Sequence, residues 1–178
     1  DWFDTLSLAQ VSKSYNDAVW SVGGVRCMDA KIKAYAEKCG MSFVPSIHYA
    51  AEFDNLPALR AHLESGEDVN KREPRFGQTA LHIAAYCDRP VILKALIEGG
   101  ADVSAQDNQG CTSLSFSAQE GHTMIAMELI KAGADVNLAG SSGATPLMIA
   151  ASEGREAIVA LLIGFGADVS LCNCRGEA

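Results

Sequence analysis

The sequence lacks a long apolar run. Its longest uncharged stretch of this kind covers residues 157–167, well short of the roughly 20 residues that a membrane-spanning helix needs. No membrane span is therefore predicted. The amino-terminal part has neither an apolar signal core nor an Arg/Ser-rich targeting stretch. Because residue 1 is Asp, we expect either a removed leader or a trimmed chain.

Basic residues are in short supply. The net charge is -8 and the sequence pI is about 4.9. Residues 1–44 are balanced in charge, so the acidic excess falls in the remainder. A nucleic-acid backbone is bound mainly by clustered Lys and Arg, so nucleic acid is disfavoured as a partner.

Cysteines are few and scattered, without the density of a small secreted disulfide scaffold. Reduced thiols are expected, which favours the cytoplasm or another reducing compartment, including an organelle interior if a leader was removed. Cys172 and Cys174 are close in sequence but lack the second pair or histidine that a zinc site needs. No metal and no cofactor are predicted. The cysteines are Cys27, Cys39, Cys87, Cys111, Cys172 and Cys174.

Catalytic motifs are also missing. There is no nucleophile elbow, phosphate-binding glycine loop or metal-binding helix pair, and we predict that the chain is not an enzyme. His62 is interpreted as a hydrogen-bonded core histidine. Four aspartates recur once per unit, and each is expected to cap its own turn; they are Asp68, Asp102, Asp135 and Asp168.

What the sequence does contain is an internal repeat. Gly77, Gly110, Gly143 and Gly176 are each separated by 33 residues. The first three precede related heptads that begin at Thr79, Thr112 and Thr145. A second motif, Gly-Ala-Asp-Val, starts at residues 100, 133 and 166 with the same spacing, and a variant starts at residue 66. Two motifs in one register indicate stacked supersecondary units.

The period and the pattern Thr-Pro-Leu-His-x-Ala resemble the ankyrin repeat over residues 45–178. The resemblance implies an all-α solenoid of four helix-turn-helix repeats, at about 45–76, 77–109, 110–142 and 143–175, plus the start of a fifth. The first unit is degenerate, because it lacks the leading Thr and Gly and has one extra residue near Glu73. We predict a helix over 156–163, ended by Gly164 and Gly166 in a left-handed turn.

Residues 1–44 fall outside the period and are predicted to form two amphipathic helices. We expect this segment to cap the first repeat, since repeat arrays need a polar outer side. The alternative is a docking arm in which Trp2 and Phe3 contact a partner.

The resemblance also implies a concave binding surface, formed by the turn tips and the exposed side of the first helices. Arg75, Phe76 and Tyr86 are expected to dominate binding, because aromatic residues and Arg do so at protein interfaces. The roles of Phe53 and Phe165 are open between binding and packing. The predicted surface residues are Arg75, Phe76, Gln78, Tyr86, Cys87, Asn108, Gln109, Cys111, Gln119, Glu120, Ser141, Ser142, Ala144, Ser152 and Glu153.

Two functions follow from these features. The first is a non-catalytic module that binds a partner protein through the concave surface. The second is a permanent subunit of a large assembly, docked through its amino-terminal arm and through the last repeat, whose outer apolar face is expected to be uncovered. A longer natural chain is the other explanation for that face.

Overall fold

Residues 46–172, 174 and 176 are described by a computed structural model. This part of the chain contains eight helices and no strand, which confirms the predicted all-α solenoid. The two helices predicted in residues 1–44, together with Trp2 and Phe3, fall outside the described residues. The helices are α1 (Ile47–Glu52), α2 (Leu56–Glu64), α3 (Ala80–Tyr86), α4 (Pro90–Glu98), α5 (Ser113–Glu120), α6 (Thr123–Lys131), α7 (Pro146–Ser152) and α8 (Glu156–Gly164).

The first helix of each hairpin begins at a hydroxyl side chain. Thr112 Oγ1 accepts a hydrogen bond from Ser115 N at 3.2 Å, and Thr145 Oγ1 accepts one from Met148 N at 3.3 Å. Such a bond satisfies one of the free amides in the first turn. In the degenerate first unit Ser46 takes this role, with Tyr49 N at 3.2 Å. Helix α1 therefore starts one position later in its repeat than α3, α5 and α7 do.

Proline and glycine set the limits of the second helices. Pro57 and Pro90 lie in the first turns of α2 and α4, where the missing N–H costs little. Gly166 has a φ of +86°, as the left-handed turn after α8 requires. Gly164, which was predicted to share that role, is instead the last residue of α8, so the prediction was wrong there. Gly164 therefore belongs to the helix and not to the left-handed turn that follows it.

The hairpins stack into two layers. The first helices α1, α3, α5 and α7 are neighbours in series, and the second helices α2, α4, α6 and α8 form the other row. Leu81 and Leu114 are buried between the layers, each stabilising the fold by about 1.5–3 kcal/mol. Ala85 and Ala118 are fully buried, because a small side chain lets the next repeat approach closely.

The stack has an exposed apolar face at the fourth hairpin. Ala151 occupies the position of Ala85 and Ala118 but is exposed. Val169 is 65% exposed and Phe165 is 50% exposed. The expected uncovered face of the last repeat is therefore present among the described residues. None of the described helices combines the length and the apolar character needed to cross a bilayer.

Gly110→Ala is expected to lower the free energy of unfolding by about 2 kcal/mol or more. Gly110 has a φ of +75°, and an added Cβ would lie 2.7 Å from the backbone N of Ser141. Urea unfolding followed by circular dichroism measures the loss.

Gly164→Ala is the matched control for this variant. Nothing lies within 4 Å of its added Cβ, and its φ is not positive. We expect unchanged stability or a gain of up to about 1 kcal/mol. Equal losses in both variants would contradict the assigned role of Gly110.

Candidate protein-binding surface

Three loops precede the first helices, and we call them tip 1 (residues 73–78), tip 2 (107–111) and tip 3 (140–144). Each is closed by backbone hydrogen bonds between its ends. In tip 2, Asp107 N donates to Cys111 O at 2.9 Å, and Gly110 N donates to Asp107 O at 3.1 Å. Tips 1 and 3 repeat this pattern, so all three have a defined backbone.

Backbone hydrogen bonds also join neighbouring tips. Asn108 N donates to Phe76 O at 2.8 Å, and Ser141 N donates to Gln109 O at 2.9 Å. A third bond joins Cys174 N to Ser142 O at 3.0 Å. Because the accepting residues are one repeat apart, the tips form a regular ladder. Their side chains are held at fixed positions along it.

A carboxylate supports tip 1 and another supports tip 2 from below. Glu73 is buried and accepts hydrogen bonds from Arg75 N at 2.7 Å and from Phe76 N. Asp107 is buried and accepts bonds from Gln109 N at 2.8 Å and Cys111 N at 2.9 Å. This support was not predicted from the sequence. The available signal was an acidic residue shortly before the glycine of tip 1 and of tip 2.

Tip 3 has no such carboxylate, because Gly140 occupies the position of Asp107. The hydroxyl of Ser142 accepts a hydrogen bond from Ala144 N at 3.4 Å in its place. Tip 3 therefore has fewer internal bonds than tips 1 and 2.

The ends of the first helices form a second row of predicted residues, which we call the helix-end row (residues 86–87, 119–120 and 152–153). Side chains from the following repeat bind its backbone. His122 Nε2 donates to Tyr86 O at 3.1 Å, and Arg155 Nε donates to Gln119 O at 2.9 Å. Arg89 Nε makes the equivalent bond to Glu52 O at 3.2 Å. These contacts satisfy carbonyls that a helix terminus leaves unpaired.

All the predicted surface residues are exposed or half-buried, and none is buried. The structure brings those of the three tips together through the ladder. It does not bring Phe76 close to Tyr86, because they lie at opposite ends of α3, whose seven residues span about 10 Å. The surface thus consists of two parallel rows.

Aromatic side chains make contacts at tip 1, between α3 and α5, and at the end of α1. The Arg75 guanidinium lies 4.8 Å from the centroid of the Phe76 ring, and Phe76 is 40% exposed. Tyr86 is 51% exposed and packs edge-on against Phe116, with ring centroids 6.1 Å apart. The contact between Phe116 and Tyr86 was not predicted from the sequence. Phe53, whose role was open, is exposed and stacks on Tyr49 at 4.4 Å.

The architecture agrees with comparisons to known proteins. The family model "Ankyrin repeats (3 copies)" matches residues 47–140 and 92–173, which together cover well over half of the chain. The chain belongs to the ankyrin-repeat family. Ankyrin repeats generally mediate protein–protein interaction and are typically not catalytic.

Similar proteins contain ankyrin repeats within longer chains. The sequence is 32% identical to inversin of Mus musculus over 83 residues and 37% identical to the nuclear factor NF-kappa-B p105 subunit of Gallus gallus over 77 residues. These matches cover 47% and 43% of this chain but 8% of each relative. A BTB/POZ domain and ankyrin repeat-containing protein of Oryza sativa subsp. japonica is 33% identical over 47% of this chain and 17% of its own length.

The remaining candidate chemical groups have structural partners in this ankyrin fold. His62 Nδ1 lies 2.5 Å from Glu67 Oε2, so the interpretation as a bonded core histidine is confirmed. The predicted local Asp caps are confirmed as well, for example by Ser104 N donating to Asp102 Oδ1 at 2.9 Å. Within residues 46–172, 174 and 176, no group of three or more His, Cys, Asp or Glu is placed to hold a metal ion.

Two thiols of the surface are poorly suited to reactivity. Burial raises the pKa of Cys87, and the nearby Glu52 carboxylate raises it further. Burial and then Asp107 likewise raise the pKa of Cys111. A higher pKa lowers the thiolate fraction near neutral pH, which disfavours a nucleophilic or redox role for either residue.

His82 connects the first helix of its repeat to tip 2. Its Nδ1 accepts from Thr79 N at 3.1 Å and lies 2.9 Å from Thr79 Oγ1, so the proton is on Nε2, which donates to Cys111 O at 3.1 Å. His48 Nε2 also donates to a backbone carbonyl, that of Lys71 at 2.9 Å, although this carbonyl lies before tip 1 and not within it. Burial lowers the pKa of both rings below the usual 6.5.

We therefore expect the free energy of unfolding to fall as the pH drops below about 6.5. The folded state binds fewer protons than the unfolded chain once the pH is below the unfolded pKa, so acid favours unfolding. Urea unfolding at about pH 7.5 and about pH 5.5, above the range where carboxylates titrate, measures the difference.

The variant His48→Gln/His82→Gln should be less stable at the higher pH but should lose most of this pH dependence. Each single variant should lose part of it. A double variant with the slope of the original chain would contradict the assignment to these two rings.

Proposed function

We propose that this chain binds a partner protein through the two rows of its concave surface and catalyses no reaction. The observation that carries the proposal is the contrast between backbone and side chains at the tips. The backbone is hydrogen-bonded from tip to tip, whereas the predicted side chains remain accessible. A rigid surface of this kind loses little conformational freedom when it binds.

The aromatic residues supply the expected binding energy. The Phe76 ring is half-exposed beneath the Arg75 guanidinium, and the Tyr86 ring is held by Phe116 while half of its surface remains open. Large side chains of this type contribute about 2 kcal/mol or more when they are buried at the centre of an interface. A protein is the favoured partner, because the net charge of -8 disfavours a nucleic-acid backbone.

Phe76→Ala is expected to weaken partner binding by about tenfold or more while changing the free energy of unfolding by less than about 0.5 kcal/mol. Tyr86→Ala should also weaken binding, and it should cost about 0.5–1.5 kcal/mol of stability because its contact with Phe116 is lost. Affinity purification with quantitative mass spectrometry identifies partners, and their affinities are then measured for each variant.

Met124→Ala is the matched control, since Met124 is an apolar residue on α6 that is even more exposed than Phe76 and Tyr86 and belongs to neither row. It should retain every partner. The proposal fails if Met124→Ala loses the same partners, or if Phe76→Ala and Tyr86→Ala retain them with unchanged affinity.

A second candidate function is supported by the exposed face of the fourth hairpin. Ala151, Phe165 and Val169 are exposed apolar residues of the fourth hairpin, whereas the counterparts of Ala151 and Val169 in the preceding repeat, Ala118 and Val136, are buried and half-buried. Exposed apolar surface favours a permanent contact. In this alternative the chain is a fixed subunit of a large assembly. The role then depends on the stack end and not on the tips.

Size-exclusion chromatography at increasing concentration separates the two candidates. A binding module is expected to stay monomeric alone. A fixed subunit should self-associate, and Phe165→Ser/Val169→Ser should reduce this association, because the exposed apolar area becomes smaller. Self-association that persists unchanged in that variant would tell against the stack end as the contact.

A further inference from the structure

Charge is distributed unevenly over the concave surface. Two exposed basic residues belong to tip 1 or adjoin it: Arg72 directly precedes the tip, and Arg75 lies within it. Tips 2 and 3 contain no basic residue, and their only charged residue, Asp107, is buried. In a chain with a net charge of -8, tip 1 is therefore a local site of positive charge.

The acidic residue within tip 1 does not cancel this charge at the surface. Glu73 is 2% exposed, and its carboxylate faces inward, where Arg75 N, Phe76 N and Gln78 N donate to it. Backbone amides thus compensate the carboxylate beneath the loop.

One of the two guanidinium groups lies over the aromatic ring of tip 1, and the other contacts tip 2. Arg75 lies over Phe76 at 4.8 Å. Arg72 Nη2 donates to Asn108 Oδ1 at 3.4 Å, and Arg72 forms no ion pair with a carboxylate in the described part of the chain. Neighbouring Lys71 differs, because its Nζ lies 2.8 Å from Glu67 Oε1. Tip 1 consequently combines positive charge with an accessible ring.

The helix-end row contains two carboxylates. Glu120 is half-buried and is the last residue of α5, and Glu153 is exposed and directly follows α7. Both lie where the helix dipole is negative. The two rows are separated by the length of a first helix, about 10 Å. The concave surface therefore has positive charge at tip 1 and two carboxylates in the helix-end row, where Arg155 also binds the Gln119 carbonyl.

We propose that the partner segment for this surface is an acidic peptide motif of a protein, in which an Asp or Glu stands beside an apolar residue. The carboxylate binds Arg72 and Arg75, and the apolar side chain covers Phe76. A Lys or Arg further along the segment pairs with Glu120 or Glu153, which lie at least the length of a first helix from tip 1 and are one and two repeats along the stack. This inference rests on the proposed protein-binding function and specifies its partner.

A carboxylate motif fits this surface better than a polyphosphate does. Charge-assisted hydrogen bonds between guanidinium and carboxylate are short and strong, and one such group can be met at tip 1 alone. A nucleic acid would extend its repeated negative charge over the acidic remainder of the chain, where it is repelled.

The test is selection of a random phage-displayed peptide library on the immobilised full chain. We expect the selected peptides to share an Asp or Glu next to an apolar residue, with a basic residue further along. A synthetic peptide of that sequence should bind Arg72→Glu/Arg75→Glu at least about tenfold more weakly. The same peptide with its acidic residues replaced by Lys should bind this variant better than it binds the original chain.

Arg60→Glu/Lys94→Glu is the matched control, because it changes the net charge equally at exposed residues of α2 and α4. It should bind the peptide as the original chain does, apart from a small nonspecific loss. Thermal melts of both double variants establish that the fold is retained. If the charge-reversal variant Arg72→Glu/Arg75→Glu does not fold, Arg72→Gln/Arg75→Gln replaces it in the binding measurement. Weaker binding than that of the original chain is again expected.

The outcomes separate this inference from the function on which it rests. Selected peptides without an acidic residue, or equal binding by the reversal variant, would overturn the acidic motif and leave protein binding intact. The absence of any enriched peptide would count against both. Tighter binding of a single-stranded oligonucleotide than of the selected peptide would overturn both in favour of a nucleic-acid partner.

Discussion

The structure depends on contacts between consecutive hairpins, because one hairpin of two short helices cannot bury its own apolar surface. Stacking buries the leucines between the layers, and small residues such as Ala85 and Ala118 bring adjacent first helices close together. Hydrogen bonds then fix the register of the stack. The imidazole of His82 reaches the carbonyl of Cys111 in the next tip, and the tip ladder repeats once per unit.

The same contacts explain how a surface made of loops can be rigid. Loops are usually mobile because much of their backbone is solvated, but here the backbone of each tip is bonded internally and to its neighbour. Side-chain identity can therefore vary without changing the backbone beneath it. Because the backbone is supported independently of side-chain identity, tip 1 can present Arg75 and Phe76 while tip 3 presents small side chains on a similar loop.

The fold was predictable because the sequence positions that determine it recur with a fixed period. The 33-residue spacing of Gly77, Gly110 and Gly143 reflects a requirement for positive φ that recurs in every tip. The position of the surface followed from the same register. The exposure of its residues agrees with that placement, while their contribution to binding stays a prediction.

The contacts that the sequence did not reveal connect different repeats at positions where the residue type varies. Carbonyls at the ends of the first helices accept hydrogen bonds from Arg89, His122 and Arg155. Because both arginine and histidine occur at this position, no sequence motif indicates the contact. The support of Tyr86 by Phe116 depends on two helices lying side by side, which only the three-dimensional arrangement specifies. Gly164 was misassigned because glycine pattern alone does not distinguish the last helical residue from the turn that follows it.

The buried carboxylate of Glu73 illustrates how a repeat tolerates an irregular length. Tip 1 is one residue longer than tip 2, and its acid carries one methylene more than Asp107, yet both carboxylates reach the amides of equivalent residues, Phe76 and Gln109. Side-chain length thus compensates for backbone length. Loop size and acid type are coupled variables in such an array, so shortening this loop and replacing Glu73 by Asp belong together as a single engineering step.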